Sequence, residues 1–144
     1  AQVNEALGDA VTVLDLYCGS GNFTLTREGA VVGIDHNRAS VGAAQSLDRH
    51  DYRVGKEEEF HRAIREKAGD AILIDPPRSG ALAIMPTLAQ SSAQKIVYVS
   101  CDPATLARDA KVLVKEGWQL SRCTTVDMFP HTAHIESVNT FTRQ

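Results

Sequence analysis

The sequence predicts an α/β domain: a seven-stranded, mostly parallel sheet with helices on both faces. Three observations carry this. Short apolar runs alternate with helical stretches along most of the chain, as a parallel sheet with crossover helices requires. The last two apolar runs have no helical stretch between them, so they form a terminal antiparallel hairpin. The length, 144 residues, suits one domain with one core, and no repeat, low-complexity tract or linker divides it.

Each element follows in order. Val11–Leu16 is the first strand; Gly19 and Gly21 turn the chain, and a helix is expected from there to about Glu28. Val31–Asp35 is the second strand, followed by a helix from Arg38 to about Leu47 and a weak third strand at Tyr52–Val54. Lys56–Lys67 is a charged, exposed helix. Ala71–Asp75 is the fourth strand, stopped by Pro76 and Pro77, which cannot donate to a ladder. Leu82–Ala89 is helical, and Ile96–Ser100 is the fifth strand. Pro103 suits the first turn of a helix that runs to about Lys115 and ends at Gly117. Trp118–Val126 and Ile135–Thr142 are the last two strands, joined by a loop from Asp127 to His134.

Composition narrows the function. A 43% hydrophobic and 23% charged chain is ordinary for a soluble globular protein, and no apolar run approaches the roughly 20 residues of a membrane span. The first ten residues are polar and carry no signal-peptide pattern. A formal net charge of -3 argues against nucleic-acid binding by bulk charge, so an RNA substrate would be gripped largely by another part of the protein. Cys18, Cys101 and Cys123 give an odd count without close pairs, hence no disulfide framework; a reducing cytoplasm fits best. Cys18, inside the first turn, is expected to pack, and Cys123, in mid-strand, to lie in the core.

Ligands of an open parallel sheet bind at the carboxyl ends of the strands. The first strand ends in Asp15-Leu-Tyr-Cys-Gly-Ser-Gly-Asn22, the second in Asp35, the fourth in Asp75-Pro-Pro-Arg78 and the fifth in Ser100-Cys101-Asp102-Pro103. The final strand runs the other way, so its beginning, near His134 and Glu136, reaches the same rim. Gly19 and Gly21 let the backbone approach a ligand at a helix N-terminus, although a tight turn explains them equally. Thr24 stands where the dinucleotide fingerprint needs a third glycine. A carboxylate at Asp35 can accept from two ribose hydroxyls, which points to an adenosine-containing cofactor without separating NAD from S-adenosylmethionine. The Asp75-Pro-Pro-Arg78 loop is stiff enough to hold an acceptor or a planar ring, or it is a rigid turn whose Asp caps a helix. By position alone Cys101 is either a nucleophile favoured by the helix terminus or a buried thiol. His131, His134 and Glu136 match no strong metal-ligand spacing, so no metal is expected; Glu136 suits a general base better.

Taken together these stretches resemble the RNA 5-methyluridine methyltransferases, which act on transfer RNA and large ribosomal RNA. The matching segments are Asp15–Leu25, Asp75–Gly80, Tyr98–Asp109 and Asp127–Val138, the last two being the most specific. The resemblance implies a Rossmann-like class I S-adenosylmethionine-dependent methyltransferase fold, with residues 1–144 forming one catalytic domain that lacks amino-terminal RNA-binding parts. It implies a cofactor pocket drawn from Gln2, Asp15, Tyr17, Gly19, Gly21, Asn22, Asp35 and Asp75. Asp35 would hold the ribose, and Asp75 would close the site beneath methyl donor and base. Cys101 would be the nucleophile that adds to carbon 6 of uracil, and Glu136 the acceptor of the carbon-5 proton. Such covalent chemistry splits a difficult substitution on a poor carbon nucleophile into easier steps. Arg78 or Arg108 could stabilise charge on the uracil carbonyl.

The chain departs from the family pattern at Asp102, where an asparagine is usual; a carboxylate there disfavours the neighbouring thiolate unless it points away. Three other functions compete. A methyltransferase acting on an exocyclic amine would need no cysteine; a dinucleotide-dependent oxidoreductase is disfavoured by Thr24; a catalytically silent binding module would have no use for Cys101 and Glu136.

Overall fold

The computed structural model describes residues 2–67, 69–127 and 135–143. In chain order the elements are α1 (Gln2–Leu7), β1 (Thr12–Leu16), β2 (Ala30–Asp35), α2 (Arg38–Gln45), β3 (Asp51–Val54), α3 (Glu57–Lys67), β4 (Ala71–Ile74), α4 (Met85–Ala89), β5 (Lys95–Ser100), α5 (Pro103–Lys115), β6 (Trp118–Asp127) and β7 (Ile135–Arg143). A single 3₁₀ turn, Leu82–Ile84, leads into α4. The strands form one seven-stranded sheet in the order β3-β2-β1-β4-β5-β7-β6. All neighbours from β3 to β5 pair parallel, whereas β7 runs antiparallel to both β5 and β6. The expected mostly parallel sheet with a terminal antiparallel pair is what the chain forms.

Alternation along the central strands builds two cores. Leu14, Leu16, Ile72, Ile74, Ile96 and Tyr98 face one side, where they meet α3, α4 and α5. Val13, Ala71, Leu73, Val97 and Val99 face the other, under α1 and α2. Because both faces are covered, β4 is buried at every position, and an apolar run without polar alternation is the sequence consequence.

Three expectations need correction. No regular helix follows Gly21: the segment is a run of turns, with Thr24 N–H and Leu25 N–H both donating to the Gly21 carbonyl and Arg27 N–H to that of Thr24. Asn22, Thr24 and Thr26 are poor helix formers, and the Thr24 hydroxyl is engaged by a buried carboxylate. The helix expected over Leu82–Ala89 is split, with Pro86 in the first turn of α4. Cys123 lies in mid-strand but is exposed, because β6 is the sheet edge and most of its residues face solvent. Cys18 is buried as expected.

Candidate active site

Parallel register brings the carboxyl ends of the strands to one rim. Leu16 pairs with Ile34 and Ile74, and Ile74 pairs with Tyr98, so the segments that follow β1, β2, β4 and β5 leave the sheet on the same side. On β7, Ser137 pairs with Ser100, which places Glu136 at that rim too.

The first turn is held by two carboxylates. After β1 the backbone turns left-handed at Tyr17 (φ 60°), a conformation that costs a non-glycine residue about 1 kcal/mol. The Tyr17 ring stacks edge-on against Phe60, centroids 4.8 Å apart. Gly19 follows at φ 58°, and nothing lies within 4 Å of where a Cβ would stand, so its backbone borders open space. Its N–H donates to Asp35 Oδ2 (2.9 Å), while Asn37 N–H donates to Asp35 Oδ1 (2.8 Å). Asp35 thereby joins the first turn to the end of β2, and each oxygen keeps a further lone pair for a ligand hydroxyl. Asn22 is exposed and accepts from the Ser20 hydroxyl at 3.1 Å. Gly21 instead packs against Tyr52 and Leu25.

Asp15 is almost fully buried beneath this turn. Thr24 Oγ1 donates to Asp15 Oδ2 (2.6 Å) and lies 2.9 Å from the Tyr52 hydroxyl, which must donate in its turn. The residue that broke the dinucleotide fingerprint is therefore the hydrogen-bond partner of a buried acid, a role the sequence did not disclose. Asp15 Oδ1 is buried and has no hydrogen-bond partner among the described residues. Burial pushes Asp15 up to about 7, against the pull of the Thr24 hydrogen bond and with added repulsion from Asp75 and Asp35. Burial first, then Asp15 and Asp35, push the Cys18 thiol well above the usual range.

Asp75 closes β4 and is half-buried; its N–H donates to the Leu16 carbonyl (3.3 Å). Burial, then Glu136, then Asp35 raise its carboxyl to about 7. Four acids thus share one electrostatic neighbourhood, which suits a cationic ligand.

Cys101 is exposed immediately after Ser100. Ser100–Ser137 is the last pair of the β5–β7 ladder; Cys101 follows Ser100 and Glu136 precedes Ser137, so both leave the ladder at the same end. Asp102 is the N-cap of α5: its carboxylate accepts from Ala104 N–H (2.9 Å) and Thr105 N–H (3.2 Å). Asp and Asn cap equally well, so the departure at this position keeps the cap and turns the charge towards the helix.

Sequence reasoning did not assign a role to Asp109. It is fully buried, accepting from Ala81 N–H (2.7 Å), Tyr98 Oη (2.6 Å) and the Arg108 guanidinium (3.0 and 3.1 Å). Arg108 also donates to the Ser79 carbonyl (2.8 Å), whereas Arg78 is exposed. Gln2 opens α1 and is half-buried, and the Ala6 carbonyl, further along α1, accepts from Lys95 at the start of β5. Among the described residues no three His, Cys, Asp or Glu side chains form a metal group; His131 and His134 lie outside them. No described helix is long and apolar enough to cross a membrane. A concavity of about 640 Å³ between Leu7, Asp70, Lys95 and Arg143 lies at the opposite end of the strands and holds none of these groups.

A nucleoside with a cationic side arm fits the rim in three respects: open backbone at Gly19, a fixed carboxylate at Asp35, and a buried Asp15 oxygen with no partner among the described residues.

Comparison with known proteins places these features. The profile of the tRNA (Uracil-5-)-methyltransferase family matches residues 55–144. The 23S rRNA (uracil(1939)-C(5))-methyltransferase RlmD of Alcanivorax borkumensis is 43% identical over 142 residues, which cover 90% of this chain and 32% of that protein. Its counterpart in Acinetobacter baylyi is 46% identical over 143 residues, covering 90% of this chain and 31% of that protein. The chain thus spans about a third of the length of these relatives. Among solved structures, precorrin-6y C5,15-methyltransferase of Geobacter metallireducens superposes with a TM-score of 0.76 at 14% identity, covering 99% of this chain and 86% of its own. Magnesium protoporphyrin IX methyltransferase of Synechocystis, with bound SAM, gives 0.74 at 15% identity, covering 99% of this chain and 76% of its own. At such identities the likeness establishes a class I methyltransferase fold.

Proposed function

Because the chain belongs to the tRNA (Uracil-5-)-methyltransferase family, we propose that it transfers a methyl group from S-adenosylmethionine to carbon 5 of a uridine in RNA, with ribosomal RNA the favoured substrate. Relatives at 43% and 46% identity are named for that reaction on 23S rRNA. The observation that supports this chemistry is that Cys101 and Glu136 each adjoin the last pair of the β5–β7 ladder, Ser100–Ser137, at the rim where the acidic cluster gathers.

The bound donor would supply an electrophilic methyl on a sulfonium and leave as the neutral thioether. Asp35 would accept from its ribose hydroxyls, and the Gly19 backbone would lie alongside it. Asp15 and Asp75, both acids displaced upward in the protein alone, would face the positive charge and ionise against it. Tyr17, Asn22 and Gln2 would line the remainder of the pocket.

Ionised Cys101 would form an Sγ–C6 bond with uracil, moving the C5–C6 π electrons towards carbon 5 and the 4-carbonyl. Carbon 5 would then take the methyl. Glu136 would remove the carbon-5 proton, the electron pair would re-form the C5–C6 double bond, and the Cys101 thiolate would depart. Every atom is accounted for: uracil loses one proton and gains one methyl. The helix terminus and the capped Asp102 keep the only carboxylate adjacent in sequence to the nucleophile engaged with backbone amides.

The test is trapping on RNA containing 5-fluorouridine, with methyl-labelled S-adenosylmethionine. Fluorine does not leave as a proton does, so a labelled covalent protein–RNA band is expected, absent in Cys101→Ala. A band of equal intensity in Cys101→Ala would remove Cys101 as the nucleophile.

A further inference from the structure

We propose that Asp109 is a positioning residue that fixes the spacing between the methyl-donor side of the site and the nucleophile side, a role that rests on the uridine methylation proposed above. The donor side includes the Asp75–Ala81 loop; the nucleophile stands between β5 and α5. Among the described residues, the partners of Asp109 belong to these elements. Its Oδ2 accepts from Ala81 N–H at the end of the loop and from Tyr98 Oη on β5, and its Oδ1 accepts from Arg108.

The same face of α5 holds two more loop groups: Thr105 Oγ1 donates to the Arg78 carbonyl (3.1 Å), and Arg108 Nη2 to that of Ser79 (2.8 Å). Over little more than one turn of α5, Thr105, Arg108 and Asp109 thus meet Arg78, Ser79 and Ala81 in order along the proline loop. Gly80 allows the approach. At φ 82°, a Cβ there would stand 2.6 Å from Arg108 Nη2 and 2.7 Å from Asp109 Oδ2. An apolar residue at position 109 could fill the core but could not join a loop amide to a strand hydroxyl. The carboxylate is out of reach of a bound base or donor through bulk solvent, being fully buried, so its effect on the reaction is indirect.

Asp109→Asn keeps size and one acceptor while removing the charge. The expected pattern separates positioning from support. The kcat for RNA methylation should fall by about tenfold or more, because small displacements of reacting atoms are costly. The KM for S-adenosylmethionine and the rate of Cys101 alkylation by iodoacetamide should each stay within about threefold, since each half-site remains whole. Exchange of the Ala81 amide with deuterium should speed up by roughly tenfold while that of β1 and β4 is unchanged. Unchanged kcat, a matching loss of cofactor affinity, or unchanged Ala81 exchange would each overturn the role. If the unaltered chain methylates no uridine RNA, the parent function fails, and Ala81 exchange still decides whether Asp109 holds the loop. Should Asp109→Asn not fold, Tyr98→Phe detaches β5 alone and should lower kcat by about threefold with KM held; no change there overturns the coupling.

Discussion

Burial first and then the neighbouring Glu136 raise Asp75, so an ionised Glu136 opposes ionisation of Asp75. In the proposed reaction the proton acceptor must be ionised when the adduct forms, and a cationic donor beside Asp75 would permit both acids to be so. Replacing Glu136 by Gln keeps the shape and removes the base. Addition of Cys101 to uridine should still occur, but resolution should slow by about 100-fold. Denaturing gels of a reaction on ordinary uridine RNA should then show an accumulated protein–RNA band; fast turnover without a band would dismiss Glu136 as the base. At this scale the sequence exposed the outward-facing groups well. Cys101, Glu136 and Asp75 occupy strand ends, and strand ends can be read from apolar runs. It was silent on inward bonds such as Thr24 to Asp15 or Tyr98 to Asp109, because a hydroxyl or carboxylate inside the core leaves no periodic trace.

Elements whose register is forced by a buried face were legible; those held by side-chain detail were not. The buried strands β4 and β5 and the 13-residue α5 fell where the apolar pattern placed them. The turns after Gly21 did not, since their backbone follows Asp15, Asp35 and Tyr52 rather than helical periodicity. Six-residue α1 is too short to show a period and is fixed from outside, by Lys95 on the Ala6 carbonyl and Arg122 on Glu5. Cys123 looked internal only because mid-strand position does not distinguish an edge strand from a central one. The departure at Asp102 is also resolved by its element. As N-cap of α5 the side chain is a hydrogen-bond acceptor, so Asp102→Asn should change stability by only a few tenths of a kcal/mol, and Asp102→Ala should cost about 1 kcal/mol. Urea denaturation distinguishes the two; equal losses would mean that the charge, not the cap, matters.

Across the whole molecule the formal charge is only -3, yet Asp15, Asp35, Asp75 and Glu136 collect at one rim. The consequence is a stability that depends on pH in an unusual direction. Asp15 and Asp75 have folded-state values of about 7 against ordinary values of 3.8. Each therefore keeps its proton in the folded protein at pH values where the unfolded chain has released it. Their contribution is full below about pH 4 and is lost as pH rises through about 7. Between pH 6 and pH 8 a group centred at 7 should lower the unfolding free energy by about 1.4 kcal/mol, and the half-buried Asp75 by less. Asp15→Asn cannot ionise, so its stability should fall less over that interval, as read by urea denaturation at the two pH values. An identical fall in the variant would mean that Asp15 ionises freely in the folded protein. Ligand charge extends the same linkage. S-adenosylmethionine carries a sulfonium, so it should bind best to the ionised acids, stabilise the protein most at the alkaline end and flatten the slope. S-adenosylhomocysteine offers the same nucleoside without that charge, so the slope should persist in its presence.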